Sequence, residues 1–168
     1  MRIAYIDYVC EPDKPGATGL SDVVWDMAGR VADLGDDVHV IAPYTVPDQP
    51  HPGVKIHRFP IPPLGYRNIA GHILIVLAAM RLLRRLGAVD VVHVPEYLSA
   101  ALLSVLNSTP VVLTEPGSIY DRVRHGNPYD PLTTLVYKAA ARTAAKRCAR
   151  LVATSDYMAG VWARTGFS

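Results

Sequence analysis

The chain has 168 residues, half of them apolar, which is enough material for the core of one domain. Its formal net charge of +2 is too small to indicate nucleic-acid binding, and its two cysteines lie too far apart in sequence for a metal-binding motif. The apolar run 73–80 is far shorter than the ~20 residues of a spanning helix, and Met1 leads into a strand rather than a signal peptide. We therefore expect a cytoplasmic protein with reduced cysteines, no metal and no nucleic-acid partner.

Short apolar runs alternate with helical patterns along the chain. Strands buried on both faces are predicted at 3–6, 38–42, 89–94, 110–114 and 151–154, with an edge strand at 54–59. Helices are predicted at 20–34, 68–86, 98–106, 133–150 and 156–164. This alternation predicts a single α/β domain, a Rossmann-like doubly wound parallel sheet with three α/β/α layers. Right-handed crossovers give the strand order 3-2-1-4-5-6, and we expect a ligand crevice at the loops after strands 1 and 4.

The loop after the first strand is polar and rich in proline and glycine. With glycine at position 19, an anion can come close to the backbone at the start of the helix. The alternative is an ordinary helix start that is capped by Thr18 or Ser21. No GxGxxG pattern opens this helix, which argues against a nicotinamide cofactor. One face of the helix is predicted to be apolar and to carry Leu20, Val24, Met27, Val31 and Leu34 before the helix ends at Gly35.

The helix predicted at 68–86 has leucines and arginines on the face opposite its core side. The core side carries Ile69, Val76, Met80 and Leu83, and the outer face carries Leu74, Leu77, Arg81, Arg84 and Arg85. Exposed leucines beside arginines are typical of a patch that contacts an anionic membrane. The alternative is that the proline-rich stretch 43–63 covers the leucines and that water surrounds the arginines.

Two further loops carry candidate ligand-binding residues. Glu96, after the fourth strand, is suited to accept hydrogen bonds from sugar hydroxyls or to act as a base. The alternative is that its side chain caps the next helix. His93 is more typical of a core histidine than of a ligand. The loop 115–131 is long and rich in polar and aromatic residues, which favours binding of a polyhydroxylated ligand over a solvated lid. The next helix is predicted to expose a basic stripe of Lys138, Arg142, Lys146 and Arg150.

Three sequence motifs occur together in the chain. The first, Gly35–Pro43, has the pattern Gly-x-x-Val-x-Val-x-x-Pro. The second, Asp90–Glu96, has the sequence Asp-Val-Val-His-Val-Pro-Glu. The third, Ser155–Gly166, begins with serine and ends with glycine. In this combination the chain resembles, over nearly its whole length, the amino-terminal, acceptor-side domain of GT-B glycosyltransferases of the retaining family 4.

The resemblance implies an enzyme of the hexosyltransferase type, active in carbohydrate biosynthesis. It would use a nucleotide sugar as substrate, without a cofactor, and a sugar, lipid or small molecule as acceptor. Gly19 keeps the second glycine of the family's first loop, Thr18 replaces the first, and Pro116 replaces a histidine that touches the donor sugar in relatives. Glu115 and Glu96 are the catalytic candidates, and the full set of expected binding residues is Thr18, Gly19, Glu96, Tyr97, Glu115, Gly117, Tyr120, Arg124, His125 and Asn127.

Domain organisation follows from the same resemblance. In the family a carboxyl-terminal domain holds most of the nucleotide, so residues 1–168 are expected to be the amino-terminal Rossmann-like domain alone. Its transfer activity is then weak or absent unless the second domain is supplied in cis or in trans. The alternative function is a noncatalytic membrane-surface or carbohydrate-binding module. Contact through the membrane patch would place the cytoplasmic protein at the inner face of the membrane.

Overall fold

The computed structural model describes residues 1–7, 19–43, 51–60, 69–115 and 131–164. The strands in these ranges are β1 (Arg2–Ile6), β2 (Asp37–Pro43), β3 (Val54–Phe59), β4 (Val91–Val94), β5 (Val111–Glu115) and β6 (Arg150–Ala153). The helices are α1 (Gly19–Asp33), α2 (Ile69–Leu86), α3 (Tyr97–Leu106), α4 (Pro131–Arg147) and α5 (Asp156–Ala163). Every predicted strand and helix is present, with boundaries shifted by a few residues at most.

The strands form a parallel sheet in the order β3-β2-β1-β4-β5-β6, which confirms the predicted order. Tyr5 in β1 lies opposite Val40 in β2 and His93 in β4. Because parallel strands run in one direction, β1 and β4 end at the same edge of the sheet. The chain therefore has the predicted Rossmann-like α/β architecture.

The chain divides into two compact units, Met1–His93 and Val94–Ser168. In the first unit, α1 covers β1 and β2, and one cluster of its core consists of Ile3, Tyr5, Val24, Ala28, Val38, Val40, Ala42 and Val54. In the second unit, the Tyr97 ring of α3 meets the Tyr137 ring of α4 edge-on, with centroids 5.6 Å apart. Both rings are buried, and alanines buried along α4 let the two helices approach closely.

Glycines end the first two helices. Gly35 follows α1 with φ 91° and donates its N–H to the Ala32 carbonyl at 2.9 Å, and Gly87 follows α2 with φ 77°. Glycine is favoured at both positions because a side chain strains this left-handed conformation.

The placement of Leu34 on the apolar face of the first helix was wrong. α1 ends one residue earlier, and the Leu34 side chain in the cap is 83% exposed.

Two expectations about the end of the chain were also wrong. β6 was predicted to be buried on both faces, but it is the last strand of the sheet, and Arg150 and Val152 are exposed. Arg150 begins this strand, because α4 ends at Arg147. The basic stripe on α4 is therefore shorter than predicted, with Arg142 and Lys146 exposed and Lys138 half-buried.

Charged side chains gather where β1, β2 and β3 begin. Asp37 accepts hydrogen bonds from Lys55 Nζ at 2.6 Å and from Arg2 Nε at 2.7 Å. Lys55, then Arg2, then His39 hold the pKa of the Asp37 carboxyl well below its usual value. This cluster lies at the sheet edge opposite the one where parallel strands commonly bind ligands.

Of the helices in the described ranges, none combines the length and apolar character needed to cross a bilayer.

Candidate functional site

Asp7 follows β1 directly and is fully buried at the edge where the strand ends. Its backbone N–H donates to the Ile41 carbonyl of β2 at 2.9 Å, and its Oδ2 accepts the indole N–H of Trp25 in α1 at 2.9 Å. One residue thus connects the end of β1 to the neighbouring strand and to the helix that follows. We assign Asp7 a positioning role, since a fully buried carboxyl group has no surface for a ligand.

The bond between Asp7 and Trp25 gives a testable stability prediction. Asp7→Ala is expected to lower the free energy of unfolding by about 2 kcal/mol, because the part-buried indole N–H loses its acceptor. In a double-mutant cycle with Trp25→Phe, urea titrations should give a coupling energy of about 1 kcal/mol. Strictly additive effects of the two substitutions would contradict the assignment.

α1 begins at Gly19, which agrees equally with the anion-binding and the ordinary interpretation of this helix start. Thr18 and the rest of the first loop lie outside the described residues, as does Cys10. The other cysteine, Cys148, is a buried free thiol, and burial raises its pKa to about 11. The described part of the structure therefore gives Gly19 its position in the fold but no ligand contacts.

His93 is a core residue, as its position in an apolar run indicated. Its side chain is 4% exposed, and its ring centroid lies 4.8 Å from that of Tyr5. Burial lowers the pKa of the imidazole to about 4, so it is neutral at physiological pH.

Glu96 is the N-cap of α3, and its carboxylate satisfies the first turn of that helix. Oε1 accepts the backbone N–H of Leu98 at 2.6 Å, and Oε2 accepts that of Ser99 at 2.8 Å. The helix-cap interpretation is therefore confirmed. The Glu96 side chain is half-buried.

Replacing Glu96 tests how much its cap contributes to the stability of the protein. Glu96→Ala is expected to cost about 1 kcal/mol of stability, measured by urea unfolding, because two N–H groups of α3 lose their acceptor. Glu96→Gln keeps one carbonyl oxygen as an acceptor and should cost less. If both variants unfold at the wild-type urea concentration, the cap does not stabilise α3.

The remaining predicted site residues fall into two groups. Tyr97 is 7% exposed against Tyr137, so its ring supports the first turn of α3. Glu115 is the last residue of β5, where its backbone lies opposite Ala153. Outside the described residues lie Gly117, Tyr120, Arg124, His125 and Asn127.

Gly19 and Asp7 belong to the unit Met1–His93, whereas Glu96, Tyr97 and Glu115 belong to the unit Val94–Ser168. Asp7 was not identified as a candidate from the sequence. A signal was available, since an acidic residue directly after an apolar strand lies at the ligand-binding edge of a parallel sheet.

Among the described residues, no group of three or more His, Cys, Asp or Glu side chains is arranged to hold a metal ion.

Comparison with known proteins identifies both a family and a fold. The family model of Glycosyltransferase Family 4 matches residues 17–168. Among solved structures, the chain is similar to a sucrose-phosphate synthase from Thermosynechococcus elongatus, with a TM-score of 0.72 and 17% sequence identity. The match covers 99% of this chain and 45% of the synthase, so the chain spans less than half of that protein. No curated protein gives a significant sequence match.

Proposed function

Because the chain belongs to glycosyltransferase family 4, we propose that it supplies the acceptor-side half of an enzyme that transfers a hexose from a nucleotide sugar to an acceptor. The observation that carries this proposal is the family match over residues 17–168. The Rossmann-like sheet is consistent with it, as is the fold of the sucrose-phosphate synthase.

The donor diphosphate is assigned to the backbone at Gly19. The first amides of a helix have no partner within the helix, and the helix dipole favours negative charge there. Gly19 is the first residue of α1, and the lack of a Cβ allows a phosphate close to the backbone. Asp7 supports this arrangement, because it fixes the end of β1 against Trp25 of the same helix.

The hydroxyl contacts are assigned to carboxylates that follow the strands. Glu96 stands directly before α3 at the end of β4, and Glu115 ends β5. Tyr97 holds the first turn of α3 in place and so orients Glu96. Further ligand contacts are proposed for Thr18, Gly117, Tyr120, Arg124, His125 and Asn127.

The proposed reaction retains the configuration of the anomeric carbon. The bond from this carbon to the diphosphate breaks, a bond to the acceptor oxygen forms on the same face, and the hydroxyl proton passes to the departing phosphate. A carboxyl-terminal domain, in cis or in trans, would hold most of the nucleotide, and we place the reaction in the cytoplasm. Positioning and charge stabilisation are the contributions expected of the protein.

A screen for nucleotide release tests this proposal. The full-length protein that contains this chain is incubated with common uridine, guanosine and adenosine diphosphate sugars and a mixture of sugar and lipid acceptors. We expect acceptor-dependent release of nucleotide from at least one donor, and much weaker release by residues 1–168 alone. If no donor is consumed but a carbohydrate binds, the chain is instead a noncatalytic carbohydrate-binding module.

A further inference from the structure

The outer face of α2 carries three exposed apolar side chains. Ile73, Leu74 and Leu77 are 42%, 41% and 51% exposed. The opposite face of the helix is buried, including Ile75, Val76, Ala79 and Leu83. The core therefore fixes the rotation of α2, so the three side chains cannot turn inward to leave the water.

Three arginines continue the same face toward the end of the helix. Arg81, Arg84 and Arg85 are exposed and, at 100° per residue, share an arc of about 100° with Leu74 and Leu77. α2 contains no acidic residue, and within the described ranges no carboxylate pairs with these guanidinium groups. We call these six residues, Ile73, Leu74, Leu77, Arg81, Arg84 and Arg85, the α2 outer face.

This composition matches the interfacial region of a lipid bilayer. Leucine and isoleucine side chains gain from entering the boundary between headgroups and acyl chains, and arginines beside them are attracted by anionic headgroups. A helix anchored to a core on one side can lie in the membrane plane with its other side inserted. Arginine also pairs with phosphate through two parallel hydrogen bonds.

We propose that the α2 outer face docks this protein on the surface of an anionic membrane. The occupant is a lipid surface, because the face presents only positive charge around its apolar side chains. Docking does not depend on the proposed sugar transfer, since all the residues lie on α2 and the binding needs no donor. Failure of either proposal can therefore be recognised separately.

Vesicle sedimentation tests this docking on residues 1–168. Vesicles of phosphatidylglycerol and phosphatidylcholine in equal amounts should sediment the protein, and vesicles of phosphatidylcholine alone should not. Replacing Arg81, Arg84 and Arg85 by glutamine should weaken the partition about 100-fold, if each arginine contributes as a typical cation near an anionic surface. Salt that shortens the Debye length to about 3 Å should have a similar effect.

Matched variants on α4 control for overall charge and apolarity. Replacing Arg142, Lys146 and Arg147 by glutamine removes the same charge from another exposed helical surface and should leave most of the binding. Leu74→Ser with Leu77→Ser should weaken binding about tenfold, whereas the same change at Leu132 and Leu135, 68% and 63% exposed, should have little effect.

Three results would overturn the proposal. The first is that the anionic vesicles do not sediment the protein, and the second is that the zwitterionic vesicles sediment it equally well. The third is that the glutamine replacements on α4 weaken vesicle binding as much as those on α2. If vesicles do not bind and Leu74→Ser with Leu77→Ser converts a dimer to a monomer in sedimentation velocity, the face joins two copies of the chain instead.

Discussion

Gly19→Trp is expected to lower sugar transfer by the full-length protein about 100-fold, because an indole at the start of α1 displaces the donor from the backbone amides by more than the ~1 Å that transfer tolerates. The first position of a helix does not require glycine, so the fold should be retained. The expected kinetic signature is a higher KM for the nucleotide sugar together with a lower kcat.

Two variants separate this effect from a general disturbance of α1. Leu34→Trp places the same side chain just beyond the other end of the helix, at a position that is 83% exposed, and should keep wild-type transfer. Gly19→Ala adds a single methyl group and should give an intermediate loss. Wild-type kinetics for Gly19→Trp would show that the donor does not contact this residue.

Acid is expected to destabilise the first unit through His93. Burial lowers the pKa of this histidine from 6.5 to about 4 in the folded protein. Between these values the unfolded chain binds a proton that the folded chain does not, so the free energy of unfolding falls as the pH falls. The slope is about 1.4 kcal/mol per pH unit, and the total loss is about 3 kcal/mol.

His93→Phe tests this prediction by keeping an aromatic ring against Tyr5 while removing the titrating group. Urea unfolding at several pH values from 6.5 to 4.5 should show a much smaller slope for the variant. Part of the slope should remain, because burial also lowers the pKa of His57. Asp37 lowers the free energy of unfolding mainly below about pH 4, where its carboxyl is protonated in the unfolded chain but not in the folded one. An unchanged slope in His93→Phe would contradict the burial argument.

The strand and helix order followed from the sequence because local patterns encode it. Apolar runs such as Val38 to Ala42 and the glycine after α1 mark the elements directly. The exposure of Leu34 and Val152 depended instead on the residue at which α1 stops and on the place of β6 in the sheet. Element boundaries and edge positions depend on tertiary pairing, which periodicity does not report.

The candidate site was predictable to a lesser degree. The sequence placed Glu96 after a strand, but its two hydrogen bonds to backbone N–H groups of α3 depend on the side-chain conformation. The position of Asp7 directly after an apolar strand was a signal in the sequence, but its positioning role was not predictable, because the role comes from a contact with Trp25, 18 residues away, that only folding creates. The exposed leucines of α2 show the opposite case, since helical periodicity alone placed them correctly on the outer face.

The most direct test of the central claim is the identity of the reaction product. The full-length protein is incubated with the donor found by the nucleotide-release screen, and both products are quantified by mass spectrometry. The account predicts an acceptor heavier by one hexose residue, in the same molar amount as the released nucleoside diphosphate, with the donor's anomeric configuration retained. Release of free sugar without any glycosylated acceptor, or no reaction with any donor, would contradict it.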